Sequence, residues 1–252
     1  MNARDTLKLL AKDSNLYQSF SQLDRVNQIK VSLEILRSQA AILFSKKIAW
    51  FIAGLLTYFV TVYITNYRLP VVQRLTQEDI LFSLLVLPLL ILAVFLNMQL
   101  ISSEKDKRTL EVLFTTAGSR YKVWILRVTT LSLMLLLTAL GISTLAFFSI
   151  ADISVVATAL HGFVPAFLIG GVTLYFSVKF RSGLAAGMVT AIVVVLTLMF
   201  SDGFNLEETR YFLFFNPYRV PRELDPETWN IWMWQNRIGT LGLGMLLHFF
   251  AL

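Results

Sequence analysis

The sequence predicts an all-α polytopic membrane protein: six transmembrane helices preceded by an amphipathic interfacial elbow helix. Three observations lead there. The 252-residue chain is 56% apolar and only 15% charged, with a mean hydropathy of +0.66. A soluble domain is about 45–50% apolar and about a quarter charged. The apolar residues fall in blocks near or above the ~20 residues that carry a helix across the hydrocarbon. Lys and Arg collect in alternate links between those blocks. Helices are the expected element because an open sheet edge cannot be satisfied in lipid.

Three segments organise the chain. Residues 1–25 form a cytoplasmic N-terminal segment of weak periodicity. Residues 26–47 carry Val26, Ile29, Leu33, Leu36, Ala40 and Leu43 at spacings of three and four, with Arg25, Lys30, Glu34 and Arg37 between them. That is a helical stripe with a basic flank, suited to lying on an anionic membrane surface; an ordinary juxtamembrane helix is the plainer alternative. Residues 48–252 form the six-span domain, with runs at roughly 48–66, 80–103, 123–150, 153–178, 183–201 and 232–252. Only Ala151 and Asp152 divide the third and fourth runs, which reads as a tight hairpin. The sixth run is the weakest. Trp229, Trp232 and Trp234 suggest an interfacial belt, with the span itself starting as late as Arg237. The sequence then stops without a basic tail, as a truncated C-terminus would.

Charge sets the orientation. Residues 1–47, 104–122 and 179–182, with Arg127, hold 16 Lys/Arg against 7 Asp/Glu; residues 66–79, 152 and 202–237 hold 6 against 9. Positive residues stay inside. Both termini and the 104–122 link are therefore expected in the cytoplasm, and 202–231 forms an outer loop. The first run begins too late for a cleavable signal peptide. The net charge of +6 is distributed for a membrane surface, not for nucleic acid.

Candidate chemistry is sparse. Without cysteine there are no disulfides, thiolate metal sites or Cys nucleophiles, and two histidines are too few for a His-built metal site. No Asp or Glu lies mid-span, where ion-coupled transporters and intramembrane aspartyl proteases need them. There is no phosphate loop and no nucleophile elbow. The chain is thus not expected to be an enzyme, to hold a cofactor or to drive uphill transport alone. His161 and His248 enter spans. Each is either a neutral packing histidine or a functional group, and His161-Gly162 with Pro165 could mark a local break. Arg127 can snorkel to the headgroups. Gly183/Gly187, Gly170-Gly171 and Gly239/Gly242/Gly244 allow close helix packing, within the chain or between copies.

The segment 104–120 is the most specific. Ser103 can cap a helix start with Asp106 as the third residue, and Glu104 and Arg108 are four apart in the favourable order. Leu110, Leu113 and Phe114 supply an apolar patch, and Ala117-Gly118-Ser119 ends the helix. The patch suits docking into a groove; a solvated loop helix is the alternative. The run S-S-E-K-D-K-R-T-L-E-V-L-F-T-T-A-G-S-R-Y-K-V-W resembles the signature of permease subunits of type-2 ABC exporters, through Glu104, Arg108, Thr109, Leu110, Glu111, Leu113, Ser119 and Arg120. Lys107-Arg108 departs from a pair ending in Gly, and Ala117-Gly118 from a Pro-containing turn. The elbow, the six runs, the turn at 176–182 and Asn216-Pro217-Tyr218 before the last run also resemble that family.

The resemblance implies a function. It implies an exporter permease in a bacterial cytoplasmic membrane, paired with a second copy or a relative. A cytoplasmic ATP-binding subunit, which binds ATP and Mg, would dock on 104–120 as a coupling helix, touching Glu104, Arg108, Thr109, Leu110, Glu111, Leu113, Phe114 and Arg120. His161, Phe215, Asn216 and Pro217 are then candidates for the path or an outer gate, beside membrane lipids. The aromatic outer loop mildly favours an amphipathic or lipid-linked cargo. A non-transporting anchor using the same ATPase contact and a polytopic membrane enzyme are the other classes.

Overall fold

The computed structural model describes Asp24 and residues 26–27, 46–107, 120–204 and 209–251. The elbow stripe, apart from Val26, Asn27 and its last two residues, lies outside the described residues, as do 108–119. Among the described residues there are helices and no strand. Five helices are long and apolar enough to cross a membrane, which is compatible with an integral membrane protein.

Helix α1 spans Lys46–Arg68. It stops before Pro70, which has no N–H to continue the ladder. A short 3₁₀ turn, Val71–Gln73, follows. The Asn66 side chain ties this link together by accepting from the Leu75 N–H at 2.8 Å. Thr76 then caps the next helix. Its hydroxyl accepts from Asp79 N, and the Asp79 carboxylate accepts from Thr76 N at 2.9 Å, so two orphan donors are satisfied reciprocally.

The second apolar run is not one α-helix. It comprises α2 (Gln77–Asp79), a π-helical stretch Ile80–Val86 and α3 (Leu87–Lys107), which follow one another without a break. Pro88 offers a physical reason. A proline ring crowds the carbonyl four residues back and removes one hydrogen bond, and a wider π turn just before it accommodates both. Ser103 sits inside α3, not at a helix start. No Gly or Pro lies between Leu100 and Lys107, so the backbone continues as helix through the position expected to start one.

Helix α4 spans Arg120–Ser149 and α5 spans Val155–Phe180. The link between them is short but runs over residues 150–154, five residues and not the two expected. Gln77 Nε2 donates to the Asp152 carbonyl at 3.0 Å, so the α1–α2 and α4–α5 links lie at the same end of the bundle. Arg181 takes a left-handed conformation (φ 52°), which turns the chain at once into α6 (Gly183–Phe204). Helix α7 spans Pro226–Phe250. It is not among the five helices apolar enough to cross, and it starts eleven residues before Arg237. The signal is local: Asp225 accepts from the N–H groups of Glu227 and Thr228, and Pro226 is preorganised for a first helical turn.

Helix α5 is the centre, packed against α3, α4, α6 and α7. In lipid there is little hydrophobic drive between helices, so close fit does the work. Small residues supply it. A Cβ on Gly162 would meet the Leu85 side chain at 3.0 Å, and one on Gly170 the Asn97 amide at 2.8 Å. A Cβ on Gly187 would collide with Met98, so Gly187 serves packing of α6 on α3 within the chain. Gly239 and Gly242 have nothing within 4 Å of such an atom. Helix α1 is the least enclosed. It touches the rest through Phe51 stacked on Phe95 at 6.0 Å and Tyr58 Oη donating to the Ser83 carbonyl at 3.0 Å.

Candidate functional site: a buried arginine latch

A polar cluster is buried where α5, α7 and residues 209–225 meet. Arg237 sits one-third to halfway along α7, is only 4% exposed, and points at α5. Its Nε donates to His161 Nδ1 at 3.2 Å, its Nη2 to the Phe215 carbonyl at 2.7 Å, and its Nη1 to Asn236 Oδ1 at 3.2 Å. All three acceptors are neutral. The bond to Nδ1 requires that nitrogen to be unprotonated, so the imidazole is neutral with its proton on Nε2.

Asn236 extends the cluster. Its Nδ2 donates to the carbonyls of Arg210 (3.0 Å) and Phe212 (2.8 Å). One residue pair on one turn of α7 therefore holds three backbone carbonyls of the loop. The loop is also stapled from its other side. Trp229 Nε1 donates to the Pro217 carbonyl at 3.0 Å, its ring stacks on Phe215 at 4.3 Å, and Tyr218 Oη is 2.8 Å from Thr158 Oγ1 on α5. Asn216 turns the chain by accepting from Tyr218 N at 3.1 Å. The Tyr218 ring stands edge-on to His161, 6.0 Å away. A buried guanidinium is costly unless every donor finds an acceptor, so the loop carbonyls and the cation hold each other in place.

The structure thus brings His161, Phe215, Asn216 and Pro217 into one neighbourhood. Arg237 is the residue that joins His161 to the Phe215 carbonyl, and sequence reasoning missed it by treating it as a span boundary. The signal was present, because a cation inside an apolar run is a functional candidate by default. Asn236, Tyr218, Thr158 and Trp229 carried no comparable signal. Trp229 is 3% exposed and belongs to this cluster, not to an interfacial belt, because its ring and N–H both find partners in the folded loop. Helix α5 runs unbroken through His161, Gly162 and Pro165, so these residues mark no break; Gly162 is there for its contact with Leu85.

Other candidates separate from this site. His248 Nδ1 lies 2.8 Å from its own helix's Gly244 carbonyl, and its ring stacks on Phe167 at 4.6 Å, a packing role. Arg127 is buried. Of the predicted docking residues, Glu104 continues α3 and Arg120 begins α4; Arg108, Thr109, Leu110, Glu111, Leu113 and Phe114 lie outside the described residues.

No family model, curated protein or solved structure matches this chain.

Proposed function

We propose that this chain is the transmembrane permease subunit of an ATP-driven type-2 ABC exporter, moving an amphipathic or lipid-linked substrate out of the cytoplasm or the inner leaflet. Six helices span a bacterial cytoplasmic membrane in this reading, α7 being the sixth, and both termini are cytoplasmic. Two permeases pair, and two separate ATP-binding subunits supply ATP and Mg. The observation that carries the proposal is the segment 104–120 between α3 and α4, with its acidic–basic–apolar order Glu104, Arg108, Leu110, Glu111, Leu113. Two features support it. The end of α3 at Lys107 and the start of α4 at Arg120, which flank the motif, lie at the end of the bundle away from the arginine latch. Helix α3 also continues to Lys107 and so joins any docked partner to the central packing around α5 through one continuous element.

The latch then acts as a stationary outer lid, because Arg237 and Asn236 bind loop backbone and not a mobile side chain. The test is reconstitution. The chain should co-purify with an ATP-binding subunit, and the liposome-embedded complex should hydrolyse ATP faster when cargo is present. Robust hydrolysis by the chain free of any other subunit would sink the proposal.

A further inference from the structure

A second feature at the latch end is not used by that function. A cavity of about 250 Å³ lies between the start of the π-helical stretch, the end of α6 and the loop. Pockets for drug-sized ligands start at roughly 300 Å³, so this one suits a small polar group. Its lining is mixed, and Asn216 adds a neutral polar side chain to it. Phe82, Phe212, Phe214 and Leu198 give apolar walls, with the Phe212 and Phe214 rings edge-to-face at 5.8 Å. Glu78 and Arg219 give one charge of each sign, and Arg219 Nε lies 3.6 Å from Glu78 Oε1. Asp79 also lines the cavity but is committed to the Thr76 cap.

We propose that this cavity binds the headgroup of an amine-bearing zwitterionic phospholipid of the phosphoethanolamine type. The ammonium would sit by Glu78 and over the phenyl faces, which attract cations; the phosphate would take Arg219, whose guanidinium fork matches phosphate oxygens. Glu78 and Arg219 side chains are 38% and 61% exposed, and an ion pair that open to solvent is weak and separates readily. Depth selects a lipid over a dissolved zwitterion. Glu78 opens the second apolar run, at headgroup level, while Phe82 a turn deeper is 40% exposed and Met199 and Phe200 beside Leu198 are 68% and 54% exposed. The cavity therefore stands where headgroup and acyl chain meet. The proposal needs the helices in a bilayer but no ATPase, so its failure would leave the permease function standing.

Native mass spectrometry of the full chain released from detergent tests this. Phosphatidylethanolamine and phosphatidylglycerol of equal acyl length are offered together, with inorganic phosphate and free phosphoethanolamine as competitors. The expected result is about a tenfold preference for the amine lipid, equivalent to one strong charged contact. Glu78→Gln should bring the two lipids to parity, and Arg219→Gln should lower binding of both. Arg222→Gln, exposed in the same loop and outside the cavity, should change nothing. Phe82→Ala should cut the preference about fivefold through the lost cation–π contact, and because Phe82 is partly exposed the chain keeps its fold even where a charge variant does not. Equal uptake of both lipids by wild type, or a preference untouched by Glu78→Gln and Phe82→Ala, would overturn the site. Displacement of the lipid by inorganic phosphate as effective as by phosphoethanolamine would show a free-anion site and overturn it equally.

Discussion

Arg237 holds three neutral acceptors from two helices and a loop, and each would be stranded by its removal. An unsatisfied buried acceptor costs about 1–3 kcal/mol. Arg237→Leu strands His161 Nδ1, Asn236 Oδ1 and the Phe215 carbonyl, so it should destabilise the chain by several kcal/mol and free residues 209–225 for proteolysis. His161→Ala removes one acceptor and should cost roughly a third as much. Thermal unfolding in detergent with limited proteolysis reads both effects, and wild-type behaviour of Arg237→Leu would show that the latch does not hold the loop. Glycines give a sharper contrast. A Cβ on Gly171 would come within 2.8 Å of the His248 ring, and one on Gly244 within 2.8 Å of Phe167. Overpacking of this kind costs about 1–3 kcal/mol. Gly171→Ala and Gly244→Ala should therefore lower the melting temperature, whereas Gly239→Ala and Gly242→Ala, with nothing to strike, should leave it unchanged or raise it through better helix propensity. Composition pointed to all four glycines alike. Only the packing separates them, because helix spacing says that two glycines share a face and not which neighbour that face meets.

At the scale of elements, the cap of α7 is the most exposed to test. Asp225 satisfies two N–H groups of its first turn, and losing such a cap costs about 0.5–2 kcal/mol. Asp225→Ala should destabilise by that amount and Asp225→Asn by much less, measured by the same unfolding assay. The start of α7 was legible, since Asp225-Pro226-Glu227 is a start signal; hydropathy obscured it, because Glu227, Asn230, Gln235, Asn236 and Arg237 interrupt the apolar residues of its first half. The run boundaries of α1, α4, α5 and α6 were legible within a few residues, since long apolar blocks leave little freedom. The π-helical stretch was not. Ile80–Val86 has the composition of any buried helix, and Pro88 alone did not say whether the helix would kink, break or widen. The latch was half legible. His161 and the 215–217 turn stood out as a histidine and an Asn-Pro pair, but their common partner lies far along the sequence in another helix.

The described helices form a bundle with two ends. The links around residues 69–76, 150–154 and 209–225 are tied to one another through Gln77–Asp152, Arg219–Glu78 and the latch. The other end carries the end of α3 at Lys107, the start of α4 at Arg120 and the turn at Arg181. In the proposed orientation, in which positive residues stay inside, this second end is cytoplasmic. A cysteine introduced at Ser119 or Ser182 should react with an impermeant thiol reagent only from the cytoplasm, and one at Thr76 or Thr209 only from outside; external labelling at Ser119 in intact cells would reverse the orientation. Coupling across the bundle is the further consequence. If 104–120 docks on an ATP-binding subunit, Glu111 and Leu113 should contribute to that interface. Losing one partner of a desolvated charge pair costs on the order of 2–5 kcal/mol, enough to weaken docking at least tenfold. A solvated loop helix would lose only about 0.3–0.5 kcal/mol from a broken surface pair. Glu111→Lys and Leu113→Asp should therefore abolish pull-down of the ATP-binding subunit and transport, while membrane expression and the melting temperature set by the α5 core stay at wild type. Retained pull-down and transport in both variants at normal expression would mean that energy enters the bundle somewhere other than the α3–α4 link.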